Sequence, residues 1–320
     1  MKSDSYYLAE LEDKLLDTVY SYVNNVPRPF GLLLSGGFDS GLLAALTKPD
    51  YVYTVRFPYG VTYDESRYAD AIIKHLGLTA KTNIIIPKKE DFEKYFEEAV
   101  KVMGEPVSHF SLVPFFIMMK FIANRDKSST MHVLSGEGPD EYLGGYARQI
   151  IFDELAKLYS IPELRGYKNL VDKVVGNILS AKYYGNLIGY DSKKVSDWIL
   201  DNQDLFEKNK VHEAIGRMDM ELGVIEKMEQ KLATACGVKL HYPYINEEFA
   251  EYCYQLPDHL KVRNGVTKWA FREICKKYLP EFVWDRSKMG GPVAPVNDWL
   301  GIGGGFDKTE YLKRQKEILK

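Results

Sequence analysis

Cysteine is nearly absent from this chain. Three residues of 320, Cys236, Cys253 and Cys275, are far apart and form no C-x-x-C. That excludes a disulfide framework and a cysteine zinc site, and it fits a reducing cytoplasm. Long apolar runs are missing as well. The longest, Leu112–Met119, is too short to cross a bilayer and contains Pro114. No sign of charge dominates. A net charge of -3 gives no whole-molecule attraction to nucleic acid or acidic membranes, so neither is expected as a partner. No repeat with a period of about 20 to 50 residues and no low-complexity tract interrupts the chain. The amino terminus, Met1-Lys2-Ser3-Asp4, has no apolar core and does not read as a signal peptide. What remains is ordinary: 45% hydrophobic residues and enough length for a large core in two packed lobes.

Against that background one stretch stands out. Ser35-Gly36-Gly37-Phe38-Asp39-Ser40 lies between two apolar runs, Gly31–Leu34 and Leu42–Leu46. The first run is short and fully apolar, the signature of a buried parallel strand, and the second is rich in Leu and Ala, which favour helix. The six residues between them form a glycine-rich strand-to-helix turn. Its glycines let backbone N–H groups approach a ligand, its serines add hydroxyls, and the helix N-terminus adds partial positive charge. The turn reads as an oxyanion cradle for a polyphosphate. No Gly-Lys-Ser/Thr follows, so it is not a Walker loop, and the G-x-G-x-x-G spacing of a dinucleotide site is absent. Asp39 would repel phosphates unless a cation such as Mg²⁺ sits between them.

The rest of the first half alternates strand and helix. Ser5 to Asn24 carries Leu8, Leu11, Leu15, Val19 and Val23 at helical spacing. Strands are expected at Tyr51–Phe57, Thr82–Ile86 and His132–Leu134, and helices at Asp64–Leu76, Lys88–Val102 and Phe110–Ala123. A second loop, Ser135-Gly136-Glu137-Gly138-Pro139-Asp140-Glu141, follows the last strand. The alternation implies a parallel sheet with helices on both faces, and ligands of such sheets sit beyond the carboxyl ends of the strands, where both loops lie. After about Tyr146 strand signals fade. Helical periods dominate through Ile151–Leu158, Leu170–Leu179, Val195–Leu205 and Glu213–Thr234. The chain therefore divides into an α/β nucleotide-binding core, 1–146, and a helical lobe, 147–320. Lys261 to Lys288 is basic, and Gly301 to Gly305 reads as a loop before a final solvated helix. The cysteines read as small buried apolar residues and the Lys88–Lys101 charge run as a solvated helix face.

Asp39 on one loop with Glu137 and Asp140 on the other offers carboxylates for Mg²⁺, which takes one or two of them plus substrate phosphates. Lys268 and Lys288 could neutralise a triphosphate during nucleotidyl transfer. Nucleotide, metal and lysine together suit carboxylate activation, in which an acyl-adenylate forms and pyrophosphate leaves into the cradle.

Leu34-Ser35-Gly36-Gly37-Phe38-Asp39-Ser40 resembles the pyrophosphate loop of N-type ATP pyrophosphatases. Leu134-Ser135-Gly136-Glu137-Gly138-Pro139-Asp140-Glu141 with Gly144-Gly145-Tyr146 resembles the synthetase domain of glutamine-dependent asparagine synthetases and the related β-lactam synthetases. Gly265-Val266-Thr267-Lys268, Arg272-Glu273, Leu279-Pro280 and Asp285-Arg286-Ser287-Lys288 are similar to the same domain, so the likeness covers roughly residues 5 to 300. It implies an adenine nucleotide alpha hydrolase-like fold and an AMP-forming amide ligase using ATP and Mg²⁺. By that likeness Ser35, Gly36, Gly37, Asp39 and Ser40 hold pyrophosphate, and Leu34, Val55, Ser135 and Gly136 belong to the nucleotide site. Asp39 and Asp140 take Mg²⁺. Glu137 faces the acyl-adenylate and accepts a proton from the amine, Lys268 binds the α-phosphate, and Lys288 stabilises the transition state.

The chain departs from the family in two ways. No cysteine precedes residue 236, so no glutaminase domain with an N-terminal cysteine nucleophile is expected; the nitrogen would come from ammonia, an amine donor or a separate glutaminase subunit. The family block Glu-x-Arg-x-Pro-Phe-Leu-Asp appears as Lys239-Leu240-His241-Tyr242-Pro243-Tyr244-Ile245-Asn246. That inversion of charge puts aspartate in question as the carboxylate. A cyclase or ligase for another carboxylate, and an inactive nucleotide-binding partner of a glutaminase, are the alternatives. His241 reads as a structural polar residue, because nothing around it has metal spacing.

Overall fold

The computed structural model describes residues 2–58, 64–125, 131–146, 149–150, 192–202, 204–205, 210–223, 225–286, 295–301 and 308–320. The chain forms two compact units. One comprises Asp13–Glu137, Val224–Tyr244 and Ile274–Lys320, the other Met1–Glu12, Gly138–Gly223 and Ile245–Glu273.

The first unit is built on a parallel sheet. Its strands are β1 (Phe30–Leu33), β2 (Tyr51–Val55), β3 (Thr82–Ile85), β4 (Met131–Leu134) and β5 (Val238–His241), in the order β3-β2-β1-β4-β5. Every neighbouring pair is parallel; Leu32 stands beside Val52 on one side and Leu134 on the other. The apolar run that precedes the glycine turn is therefore the central strand. Phe30, Leu32 and Leu34 are buried, as a strand covered on both faces requires. The helices are α1 (Asp4–Val23), α2 (Phe38–Thr47), α3 (Ser66–His75), α4 (Lys89–Met103) and α5 (Leu112–Arg125), each within a few residues of its expected bounds. The α/β class with helices on both faces is as the pattern implies.

One strand was not legible. β5 falls in the half where only helices are expected. Val-Lys-Leu-His is as long as β4 but, unlike β4, is not followed by a glycine-rich loop, and β5 is recognisable only by its pairing with β4, Val133 opposite Leu240. The period expected as one helix over Glu213–Thr234 is two, Val211–Leu222 and Ile225–Ala235, separated at Gly223. An aromatic layer closes the sheet unit. Trp299 packs on Phe57 and Phe92, with ring centroids 6.2 and 5.5 Å away, and Tyr311 of the last helix, Thr309–Ile318, packs on Phe96 and Phe110. Gln315 of that helix exchanges both its amide hydrogen bonds with the backbone of Val107, at 2.8 and 2.9 Å.

The second unit is helical, with Ser192–Asp201, Val211–Leu222 and Glu247–Gln255 as its longer described members beside the start of α1. Tyr142 meets Phe249 and Tyr254 edge-on in its core. The expected helices at Ile151–Leu158 and Leu170–Leu179 lie outside the described residues. Among the described residues no helix is long and apolar enough to cross a membrane.

Candidate functional site

β2 follows β1 on one side of the sheet and β4 lies on its other side, so the connections diverge between β1 and β4. That switch point is where an open parallel sheet leaves a crevice at its carboxyl edge. The glycine turn leaves β1 there, and Ser135-Gly136-Glu137 leaves β4 beside it. Leu34 continues the ladder, donating its N–H to Tyr53 at 2.8 Å, and Val55 ends β2 next door. The turn then reverses through Gly36, whose φ of +87° is open to glycine and costly for other residues. Its hydroxyls hold the turn in shape. Ser40 Oγ accepts from the Ser35 N–H at 3.2 Å and lies 3.1 Å from Ser35 Oγ, while the Gly37 N–H donates to Ser35 Oγ at 3.2 Å. A Cβ on Gly136 would stand 3.0 Å from the Ser40 nitrogen and 3.1 Å from its Cα. The second glycine is thus what lets the two loops touch over the first turn of α2. Ser35 is exposed, Gly37 and Asp39 are half-buried and Ser40 is buried, so the cradle opens outward.

The segment after β5 anchors both loops. The Ser135 N–H donates to the His241 carbonyl at 2.8 Å. Glu229 Oε2, on the helix Ile225–Ala235, accepts from Tyr242 OH at 3.2 Å and from Ser135 Oγ at 3.4 Å. Tyr244, fully buried, donates its hydroxyl to the Asp39 carbonyl at 3.0 Å. Burial pushes the Glu229 carboxyl up to about 8, although both hydroxyls stabilise its charge, and the nearby Glu226 adds to the rise. Glu229 is therefore largely protonated at neutral pH. Neither Glu229 nor Tyr244 stands out in the sequence; the local signal is only that Tyr242 and Tyr244 put two hydroxyls close together after β5.

Among the described residues there is no group of three or more His, Cys, Asp or Glu able to hold a metal. Mg²⁺ needs no such group, since one or two carboxylates and phosphate oxygens suffice. Asp39, in the first turn of α2 beside a cradle that a Cβ would fill, suits that requirement.

Asp140 and Lys268 stand in the helical unit. Asp140 forms an ion pair with Lys268, Oδ1 to Nζ at 2.6 Å, the lysine side chain fully buried and the aspartate 15% exposed. Gly145 makes room for it, because a Cβ there would lie 1.8 Å from Asp140 Oδ1. Lys268 holds a left-handed backbone, φ 50°, which a residue with a Cβ adopts only where the surroundings impose it. Next to Asp140, the Glu141 carboxyl is pushed up to about 7 by burial and by Asp140, against the hydrogen bond that Tyr146 OH donates to it. Lys288 lies outside the described residues.

The three departures have structural occupations. Lys239 is exposed on β5. His241 Nε2 is 2.9 Å from His132 Nδ1, the rings stacked at 5.1 Å, and burial lowers its pKa to about 4. Asn246 caps the helix Glu247–Gln255, accepting from the Phe249 N–H at 2.9 Å.

Residues 10–312 match the sequence profile described as asparagine synthase, nearly the whole chain. The chain belongs to the asparagine synthase family. A putative glutamine-hydrolysing asparagine synthetase 1 of Methanocaldococcus jannaschii is 32% identical over 99% of this chain and 53% of its own length. Glutamine-hydrolysing asparagine synthetase 1 of Bacillus subtilis is 25% identical over 90% and 51% respectively. A putative glutamine-hydrolysing asparagine synthetase of Mycobacterium bovis is 27% identical over 85% and 46%. The chain spans about half the length of these asparagine synthase relatives.

Proposed function

We propose that this chain is an ATP-dependent, AMP- and pyrophosphate-forming amide ligase, which adenylates a substrate carboxylate and transfers nitrogen from ammonia or an amine to it. The observation that carries the reading is the approach of Gly136 to Ser40, which sets two loops of ligase type together at the switch point of a parallel sheet. The backbone amides after Gly36 and the hydroxyls of Ser35 and Ser40 would bind the leaving pyrophosphate, with the N-terminus of α2 adding favourable potential. Leu34, Val55, Ser135 and Gly136 would flank the adenosine. Glu137 would accept the proton of the attacking amine. Asp39 and Asp140 are the proposed Mg²⁺ ligands on the strength of their motifs; bound there, Mg²⁺ supplies charge neutralisation of the phosphates. Lys268 and Lys288 are proposed to stabilise the charge that grows on the α-phosphate. The family supports nitrogen transfer, and the relatives' printed names support glutamine as one source of the nitrogen, beside free ammonia or an amine.

The test is pyrophosphate release from ATP across a panel of carboxylic acids, aspartate first, with and without ammonium. Release that depends on one carboxylate and disappears in Asp39→Ala is the expected result. Tight ATP binding with no release against any acid would instead identify a nucleotide-binding partner protein.

A further inference from the structure

A buried ion pair stands beside the glycine turn. Arg286 follows the short helix Glu281–Trp284, and its Nη2 lies 2.6 Å from Glu65 Oε1, with side-chain exposures of 8% and 7%. Its guanidinium lies 4.3 Å from the centre of the Tyr68 ring, whose plane stacks on Phe282 at 4.8 Å. Both partners press on the turn. A Cβ on Gly36 would stand 3.1 Å from the Glu65 carbonyl oxygen, and one on Gly37 would stand 4.0 Å from Arg286 Nη2. The guanidinium is thus within about one side chain's reach of the amides that form the cradle.

A buried Arg–Glu pair is a poor device for stability, because the cost of desolvating two charges offsets most of their attraction. Its place here has a chemical use. The guanidinium is planar, permanently charged and presents forked N–H donors that match phosphate oxygens two at a time. Tyr68 lies beneath the guanidinium carbon and Glu65 holds one of its nitrogens, so the two together restrict where the fork points.

We propose that Arg286 is an anion-binding residue of the cradle, contacting the pyrophosphate end of the nucleotide, and that Glu65 is its positioning residue. This rests on the reading of the turn as a pyrophosphate site. Inorganic pyrophosphate with magnesium chloride is the probe, titrated calorimetrically into the full chain, with AMP titrated in parallel. In Arg286→Gln, pyrophosphate affinity should fall about ten- to a hundredfold, the range for losing a hydrogen bond to a charged group, while AMP affinity holds. Arg286→Lys should recover part of the loss. Glu65→Gln should weaken pyrophosphate several-fold and leave AMP unchanged, a split that mere loss of packing would not produce. Should Arg286→Gln fold poorly beside an unpaired Glu65, the double variant Glu65→Gln/Arg286→Gln removes both charges and carries the same comparison. Wild-type binding of pyrophosphate with equal binding in these variants overturns the role of Arg286 and leaves the cradle standing. No binding by the wild type overturns both.

Discussion

The sheet unit and the helical unit place functional groups in different ways. In the first, the cradle is made of main chain and braced mostly by neutral groups, with serine hydroxyls on amides, Tyr244 on the Asp39 carbonyl and a protonated Glu229 between Ser135 and Tyr242, while a buried Arg286–Glu65 ion pair stands beside it. In the second, a lysine with no exposure and an aspartate neutralise each other. Main-chain donors cannot be lost by deprotonation at ordinary pH or swung away, so a site made of them stays shaped without its ligand. Buried charges hold shape only while each keeps its partner, and removing one strands the other.

The comparison can be broken from either side. Asp39→Ala should produce the largest change, a fall in pyrophosphate release on the order of a thousandfold, the scale for removing a group that stabilises transition-state charge. Its thermal midpoint should move little, since the cradle's shape is set by amides and serines. In the helical unit the balance reverses. Lys268→Met leaves Asp140 without its cation and should destabilise the fold by about 3–5 kcal/mol, read from urea midpoints, and adding Asp140→Asn should restore much of it. A Lys268→Met midpoint close to wild type would show that the pair is structurally idle.

Glu229 sharpens the contrast through pH. Its carboxyl lies at about 8 in the folded chain against 4.5 ordinarily. Below about pH 4.5 it is protonated folded or unfolded; between there and about 8 the unfolded chain loses the proton that the folded chain keeps, so stability falls as pH rises. Glu229→Gln removes that slope. Melting curves at about pH 5 and about pH 9 should show the variant gaining on wild type at the higher pH, and equal slopes would place the Glu229 carboxyl in the normal range. Smallest is Tyr244→Phe, which keeps the ring and removes one buried hydroxyl. A cost of about 1 kcal/mol is expected, with a modest rise in the KM for ATP as the first turn of α2 loosens.

Much of the fold is legible from residue order because its signals are local. The apolar run Gly31–Leu34, the glycines that follow and the helix-favouring Leu42–Leu46 lie next to one another and suffice for strand, turn and helix. β5 is illegible because, unlike β1 and β4, it carries no glycine-rich loop after it, and its evidence is its pairing with β4, remote in sequence. The stack of His241 on His132 could not be anticipated either, since nothing near either residue names the other.

By itself the sequence determined the strand-turn-helix around Gly36, the parallel α/β class and the family, because backbone propensity, glycine and short motifs act over a few bonds. Only the tertiary structure decided that Gly136 meets Ser40, that Glu229 and Tyr244 anchor the loops, that Lys268 answers Asp140 and that Arg286 backs Gly37. Those are encounters between groups remote in sequence, and their energies exist only once the chain has closed the distance.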